Sequence, residues 1–187
     1  MSDSQVPDQP VSTSKKRRFR SNIYVIVASL VIATILRVFI VQSFYIPSGS
    51  MIPTLKINDR ILVSKLNLAI FGVKRGDIVV FRRPPADKVD PNIQDLVKRV
   101  IGLPGDTISA KNGVVYINGQ PLSESYLPKN DPTYNLAPTK VPPGDYFMMG
   151  DNRTDSYDSR FFGPVAGSYF VGQVIMIYYP FSHMAFF

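Results

Sequence analysis

The pattern of hydrophobic and polar positions divides the chain near residue 42. Residues 1–14 are rich in Ser, Pro, Gln and Asp and poor in large apolar side chains, which predicts a disordered tail. A basic run follows, Lys15, Lys16, Arg17, Arg18 and Arg20, and leads directly into 19 residues, Ile23 to Val41, whose only charge is Arg37. As a helix rising 1.5 Å per residue this stretch spans roughly 28 Å, close to the hydrocarbon thickness of a bilayer. A basic run placed just before an apolar span is the positive-inside signal. Arg37 costs a few kcal/mol at mid-bilayer and less near the exit end, where its stem can snorkel to the interface. A cleaved signal peptide would need a small-x-small site after the run, and Gln42-Ser43-Phe44-Tyr45 is a poor one. The expectation is an uncleaved anchor over 22–42, with a basic cytoplasmic tail over 1–21 and everything after it outside.

Beyond the anchor the texture changes to short β-branched or apolar runs. Ile61-Leu62-Val63, Ile78 to Phe81, Leu96 to Ile101, Val114 to Ile117, Tyr146 to Met149 and Val174 to Tyr179 predict strands. Turn pairs bound them: Gly76-Asp77, Gly105-Asp106, Asn112-Gly113, Asn118-Gly119 and Gly144-Asp145. Asn112-Gly113 between Thr107–Lys111 and Val114–Ile117 predicts a hairpin. No long amphipathic helix stands out. Two Pro-rich connections interrupt the strands, 84–95 and 121–143, the second long enough for a small subdomain or a flexible excursion. Residues 43–187 therefore read as one mostly-β domain, barrel-like or a folded sheet.

Composition narrows the chemistry. The chain has 187 residues and a net charge of +7, with no cysteine and one histidine, His183. Thiolate catalysis, disulfide frameworks and cysteine-ligated zinc are excluded. No histidine cluster or ligand-like spacing of acids implies a metal, and no cofactor is implied. The basic excess sits partly beside the apolar run, which favours a lipid surface over nucleic acid.

Ile46-Pro47-Ser48-Gly49-Ser50-Met51-Ile52-Pro53-Thr54-Leu55 is the most telling segment. Ser50, on a loop held by two prolines, reads as a presented nucleophile. With histidine so scarce, its base must be sought elsewhere. Lys98 is the best candidate, on a strand face shared with Leu96 and Val100, where desolvation would lower an amine pKa far below about 10.4. The strand alone equally allows a solvated edge lysine; the pairing with the Ser50 segment raises Lys98. Gly150 to Arg160 is dense in short polar groups and opposite charges. It reads either as a loop stitched by Asp–Arg pairs or as a buttress for a catalytic group.

Together, the apolar run, the Ser50-Met51 segment, Gly76-Asp77-Ile78-Val79-Val80-Phe81, Lys98-Arg99 and Gly150 to Arg160 resemble the bacterial type I signal peptidases. These are membrane-anchored Ser/Lys proteases that remove signal peptides from exported preproteins. The resemblance covers nearly all the chain after residue 20. It implies Ser50 as nucleophile and Lys98 as general base, with Ser48 joining the Ser50 N–H in an oxyanion hole. It further implies that Ser156 orients the Lys98 amine and that Asp158 and Arg160 form a supporting ion pair. Phe44, Ile46, Met51, Leu55, Leu96 and Val97 would line shallow pockets reading Ala-x-Ala sites, with the substrate extended along a strand edge. Its setting would be a bacterial cell membrane, single-pass with the N-terminus cytoplasmic. Ser50 follows Val41 by nine residues, at most ~30 Å of extended chain, which would keep the site near the outer membrane surface. Thr154-Asp155 departs from the amide or acidic residues common there, and one anchor stands where some relatives have two.

Two rivals accompany this reading. A Ser/Lys protease of narrower substrate range, such as a self-cleaving regulator, would carry a DNA-binding domain where this chain has its apolar run. An anchored β-domain that only binds peptides would tolerate loss of Ser50 and Lys98.

Overall fold

The computed structural model describes residues 13–35, 40–87, 93–128 and 132–187. The chain forms two units, Met1–Phe39 and Ile40–Phe187. Among the described residues the first holds one helix, α1 (Thr13–Ile35), in which Ile23 to Ile32 are exposed. Thr13 to Ser21, part of the tail expected over 1–21, lie in this helix; lysine and arginine are good helix formers. Residues 1–12 and Arg37 lie outside the described residues. No helix among the described residues is long and apolar enough to cross a membrane.

The second unit begins where the apolar run was expected to be still helical. Val41 and Gln42 belong to β1 (Val41–Tyr45), which pairs antiparallel with β2 (Arg60–Ser64), Val41 opposite Ser64 and Gln42 opposite Val63. Backbone pairing and a β-branched residue at the end of the run favour a strand over another helical turn.

After β2 come a short helix, α2 (Lys65–Phe71), capped by the Ser64 hydroxyl, then β3 (Ile78–Arg82) and β4 (Asp95–Gly102). The hairpin expected at Asn112-Gly113 is present as β5 (Thr107–Lys111) and β6 (Val114–Ile117). Both turn residues have positive φ, 52° and 84°, as a tight two-residue turn requires. β7 (Gln120–Pro121), β8 (Leu136–Lys140) and β9 (Asp145–Met149) follow. The chain closes with α3 (Ser159–Phe162), β10 (Val165–Ala166), β11 (Phe170–Tyr179) and β12 (Ala185–Phe186).

These strands make two sheets. The larger runs β1-β2-β11-β3-β4-β9-β10, with β12 added against β11; the smaller runs β7-β6-β5-β8. The Pro-rich excursion over 121–143 is thus partly built into the smaller sheet, β8 pairing with β5.

β3 explains why the larger sheet curls around two cores. Its run Ile78-Val79-Val80-Phe81 is buried throughout. Alternation sends Ile78 and Val80 into a cluster with Ile46, Met51, Leu55, Ile61, Val63, Val174 and Ile177. Val79 and Phe81 go to the opposite face, with Val100, Met148, Phe162 and Val165. Each such side chain contributes roughly 1.5–3 kcal/mol on burial. A third cluster, around Ile101, Ile108, Val115 and Phe147, joins the smaller sheet to β4 and β9.

β4 has unequal edges. Asp95 to Arg99 pair with Arg82 to Ile78 of β3. On the other edge, pairing with β9 starts only at Arg99, opposite Met149, so no described strand flanks Asp95 to Lys98 there.

Candidate active site

The Ser50 segment is the loop between β1 and β2, and its ends are tied together. The Ile46 N–H donates to the Asp59 carbonyl and the Asn58 N–H to the Ile46 carbonyl, both at 2.9 Å. Between these ties, Ile46, Met51 and Leu55 insert into the first core cluster. Three apolar anchors and two local turns, Ile52 N–H to Gly49 carbonyl and Leu55 N–H to Met51 carbonyl, fix the backbone around Ser50.

The loop at 150–153 grips the same segment from outside. The Asn152 N–H donates to the Ser50 carbonyl at 3.1 Å, and its side-chain amide donates to the Gly49 carbonyl at 3.1 Å. Gly150 allows this closeness. A Cβ there would stand 2.2 Å from Ser156 Oγ and 2.4 Å from the Ser50 carbonyl oxygen.

Lys98 meets Ser50 from β4. Its Nζ donates to Ser50 Oγ at 2.6 Å, and the residue is only 3% exposed. Val79, its cross-strand neighbour, and Val100, two residues along the same face, are both fully buried. Burial drives the Lys98 pKa down from 10.5 to about 8. The Asp158, Asp87 and Asp151 carboxylates oppose the fall and the Arg160 guanidinium assists it.

The expected Asp158–Arg160 pair is present and bidentate, with Arg160 Nε and Nη2 each 2.8 Å from a carboxylate oxygen. Asp158 also caps α3 and accepts from the Gly150 N–H at 2.9 Å. The Ser156 hydroxyl donates to Asp158 Oδ2 at 2.8 Å. The bond expected between Ser156 and the Lys98 amine is not among the hydrogen bonds of this structure; the hydroxyl donates to the fully buried carboxylate. Ser48 is exposed and lines the cleft beside Ser50.

That cleft, of about 310 Å³, is lined by five of the six expected pocket residues: Phe44, Ile46, Met51, Leu96 and Val97. Leu55 is the correction. It is fully buried in the core and absent from the cleft wall, because the loop turns it inward beside Ile61 and Val80. Arg83, Asp87, Asp95 and Tyr157 also line the cleft and were not anticipated. Arg83 and Asp87 are bonded to each other, Nη2 to Oδ1 at 3.2 Å.

Two further buried ion pairs escaped the sequence reading. Arg99 donates to both oxygens of Asp151, at 2.8 and 2.6 Å, and to the Gly76 carbonyl at 2.8 Å. Thr54, four residues from Ser50, bonds the same carboxylate. Arg153, fully buried, pairs with Glu124 and bonds Thr133 Oγ1 at 2.8 Å. Tyr126 lies with its ring 3.9 Å from the Arg99 guanidinium and bonds Glu124. Charge density in 150–160 was the available signal; the partners, far away in sequence, were not. His183 lies elsewhere, its Nδ1 2.9 Å from Asp59.

A serine hydroxyl held against a buried amine, at one end of an apolar cleft, is the arrangement of a serine hydrolase whose base is an amine and not an imidazole. Comparison with known proteins gives the family. The family model described as "Signal peptidase, peptidase S26" matches residues 19–179. A signal peptidase I of Leptolyngbya laminosa is 40% identical over 182 residues, covering 95% of this chain and 89% of that protein. One from Bacillus caldolyticus is 41% identical over 173 residues, covering 86% and 91%. A solved signal peptidase I from Enterococcus faecalis is 37% identical, with a TM-score of 0.45, covering 54% of this chain and 95% of that one. The chain belongs to the signal peptidase family, peptidase S26, and is a serine peptidase.

Proposed function

We propose that this chain is a membrane-anchored endopeptidase that removes signal peptides from exported preproteins, cutting after small-x-small sites through an acyl-enzyme on Ser50. The observation that carries the reading is the 2.6 Å contact between Ser50 Oγ and a buried Lys98 amine whose pKa lies near 8.

Neutral Lys98 takes the Ser50 proton as Oγ attacks the scissile carbonyl, and a tetrahedral intermediate forms. Its oxyanion is met by the Ser50 N–H, which has no hydrogen-bond acceptor among the described residues, and by the Ser48 hydroxyl beside it. Protonated Lys98 then gives its proton to the leaving amine. The acyl ester remains on Ser50, and Lys98 activates the water that releases it. Ser156, already donating to Asp158, keeps lone pairs that can accept from the Lys98 amine and aim it. The Arg160–Asp158 and Arg99–Asp151 pairs are structural supports for these groups.

The substrate lies extended along the open edge of β4, adding its backbone to Asp95–Lys98 as a strand. Its small side chains fit the apolar wall of Phe44, Ile46, Met51, Leu96 and Val97, where bulk is excluded. The anchor reading rests on the apolar run and on α1, whose Ile23, Val25, Ile26, Leu30 and Ile32 are exposed around the helix. Apolar side chains exposed along a helix favour an apolar surrounding. The anchor ends before Val41, residues 1–21 face the cytoplasm, and the β-domain lies outside a bacterial cell membrane.

The test is cleavage, in detergent, of a preprotein with an Ala-x-Ala site by the full chain, Ser50→Ala and Lys98→Ala. Cutting by the unaltered chain alone is the expected result. Cutting by Lys98→Ala would remove Lys98 as base, and cutting by none would remove this substrate class.

A further inference from the structure

The charged side chains lining the cleft differ in how open they are to a substrate. Arg83 and Asp87 neutralise each other through their ion pair. Lys98 is buried against Ser50 and mostly desolvated. Asp95 is left. It is exposed, lines the cleft, and its carboxylate has no hydrogen bond or ion pair among the described residues. Arg82 sits directly across from it on β3, yet no salt bridge joins them.

Asp95 also has a defined place along the site. It is the first residue of β4, three before Lys98, at the outer end of the edge that lacks a neighbouring strand. At about 3.3 Å per residue the two lie roughly 10 Å apart along the strand. Leu96 and Val97, between them, belong to the wall assigned to the small residues before the cut. A peptide paired with this edge, its scissile bond at Ser50, therefore passes Asp95 four or five residues before that bond.

We propose that Asp95 is a specificity-determining residue that favours a lysine or arginine in the substrate four or five residues before the cleavage site and disfavours glutamate or aspartate there. The proposal rests on the functional reading above and deepens it. The interaction is solvent-facing, so it discriminates modestly. About two- to fivefold in kcat/KM between a lysine and a glutamate substrate is the expected scale. It weakens as salt screens exposed charges.

The experiment uses the full chain in detergent and blocked peptides that share one Ala-x-Ala site. They carry Lys, Gln or Glu at the fourth and at the fifth residue before it. The readout is the ratio of kcat/KM for Lys over Glu within each enzyme form, so that a general loss of activity cancels. The unaltered chain should give a ratio above one that falls with added salt. Asp95→Asn should bring the ratio to about one, and Asp95→Lys should invert it. A ratio that is the same in all three forms overturns the proposal while the Gln peptide, still cut, upholds the peptidase reading. If the unaltered chain cuts none of the peptides, both fall together.

Discussion

The pH dependence of cleavage is where the buried lysine should declare itself. With a pKa of about 8, Lys98 is neutral in about one molecule in ten at pH 7 and in about nine in ten at pH 9. A solvated lysine near 10.5 would be neutral in roughly one molecule in three thousand at pH 7. Burial thus raises the supply of free base about 300-fold at neutral pH, and the geometry at Ser50 makes that base usable. The profile of kcat/KM reports the free enzyme's ionisations. It should climb about tenfold per pH unit below 7, bend near 8, and level off by 9. The assay is cleavage of a blocked peptide without groups titrating between pH 6 and 10, with circular dichroism confirming that the protein stays folded across the range. A rate that keeps rising about tenfold per unit through pH 9 and bends near 10.5 would refute the argument, since Lys98 would then behave as a solvated amine.

The same burial destabilises the fold. A pKa lowered from 10.5 to about 8 means the unfolded chain binds the proton more tightly, so the penalty is full below pH 8 and is relieved as pH rises toward 10.5. It corresponds to roughly 3 kcal/mol, so Lys98→Met should abolish cleavage yet raise the denaturant midpoint at pH 7, with a smaller gain at pH 10; an equal gain at both would contradict the linkage. Gly150→Ala puts a methyl within 2.4 Å of the Ser50 carbonyl and 2.2 Å of Ser156 Oγ. Displacing Ser50 by even 1 Å should lower kcat/KM by about 10²-fold, with about 1–3 kcal/mol of stability lost to overpacking. Activity like that of the unaltered chain in Gly150→Ala would mean the loop at 150–153 does not position Ser50.

How much of this was legible depends on how local each signal is. β3 was readable because Ile78 to Phe81 is apolar without alternation, the mark of a strand buried on both faces. Asn112-Gly113 was readable because positive φ at two successive positions suits that pair. β8 was not, because Pro138 breaks the pattern; the strand tolerates it by lying at the edge of its sheet. β1 was absorbed into the apolar run, since a β-branched residue at the end of a span looks the same whether it continues a helix or starts a strand. Leu55 shows the limit within the site: a cleft wall and a core are both apolar, and only the turn of the loop decides which receives the side chain. Arg99 with Asp151 and Arg153 with Glu124 are 52 and 29 residues apart. Composition supplies the charges, and only the sheet order supplies the partners.

The ion pairs around the site explain why Lys98 is the cation able to lose a proton. Arg99 and Arg160 each have a buried carboxylate partner, Asp151 and Asp158, and Arg153 has the half-buried Glu124. Each guanidinium holds its carboxylate in a bidentate or networked grip. Lys98 has no such partner among the described residues; its amine contacts a serine hydroxyl. A carboxylate bonded directly to it would keep the ammonium form and defeat the base. Asp158 does favour that form, but it is committed to Arg160, Ser156 and the Gly150 N–H, and Arg160 adds its own opposing charge. The arginines thus do two things at once. They satisfy the acids that a curled sheet has brought inside, and they keep those acids from holding the proton that Ser50 needs Lys98 to be without.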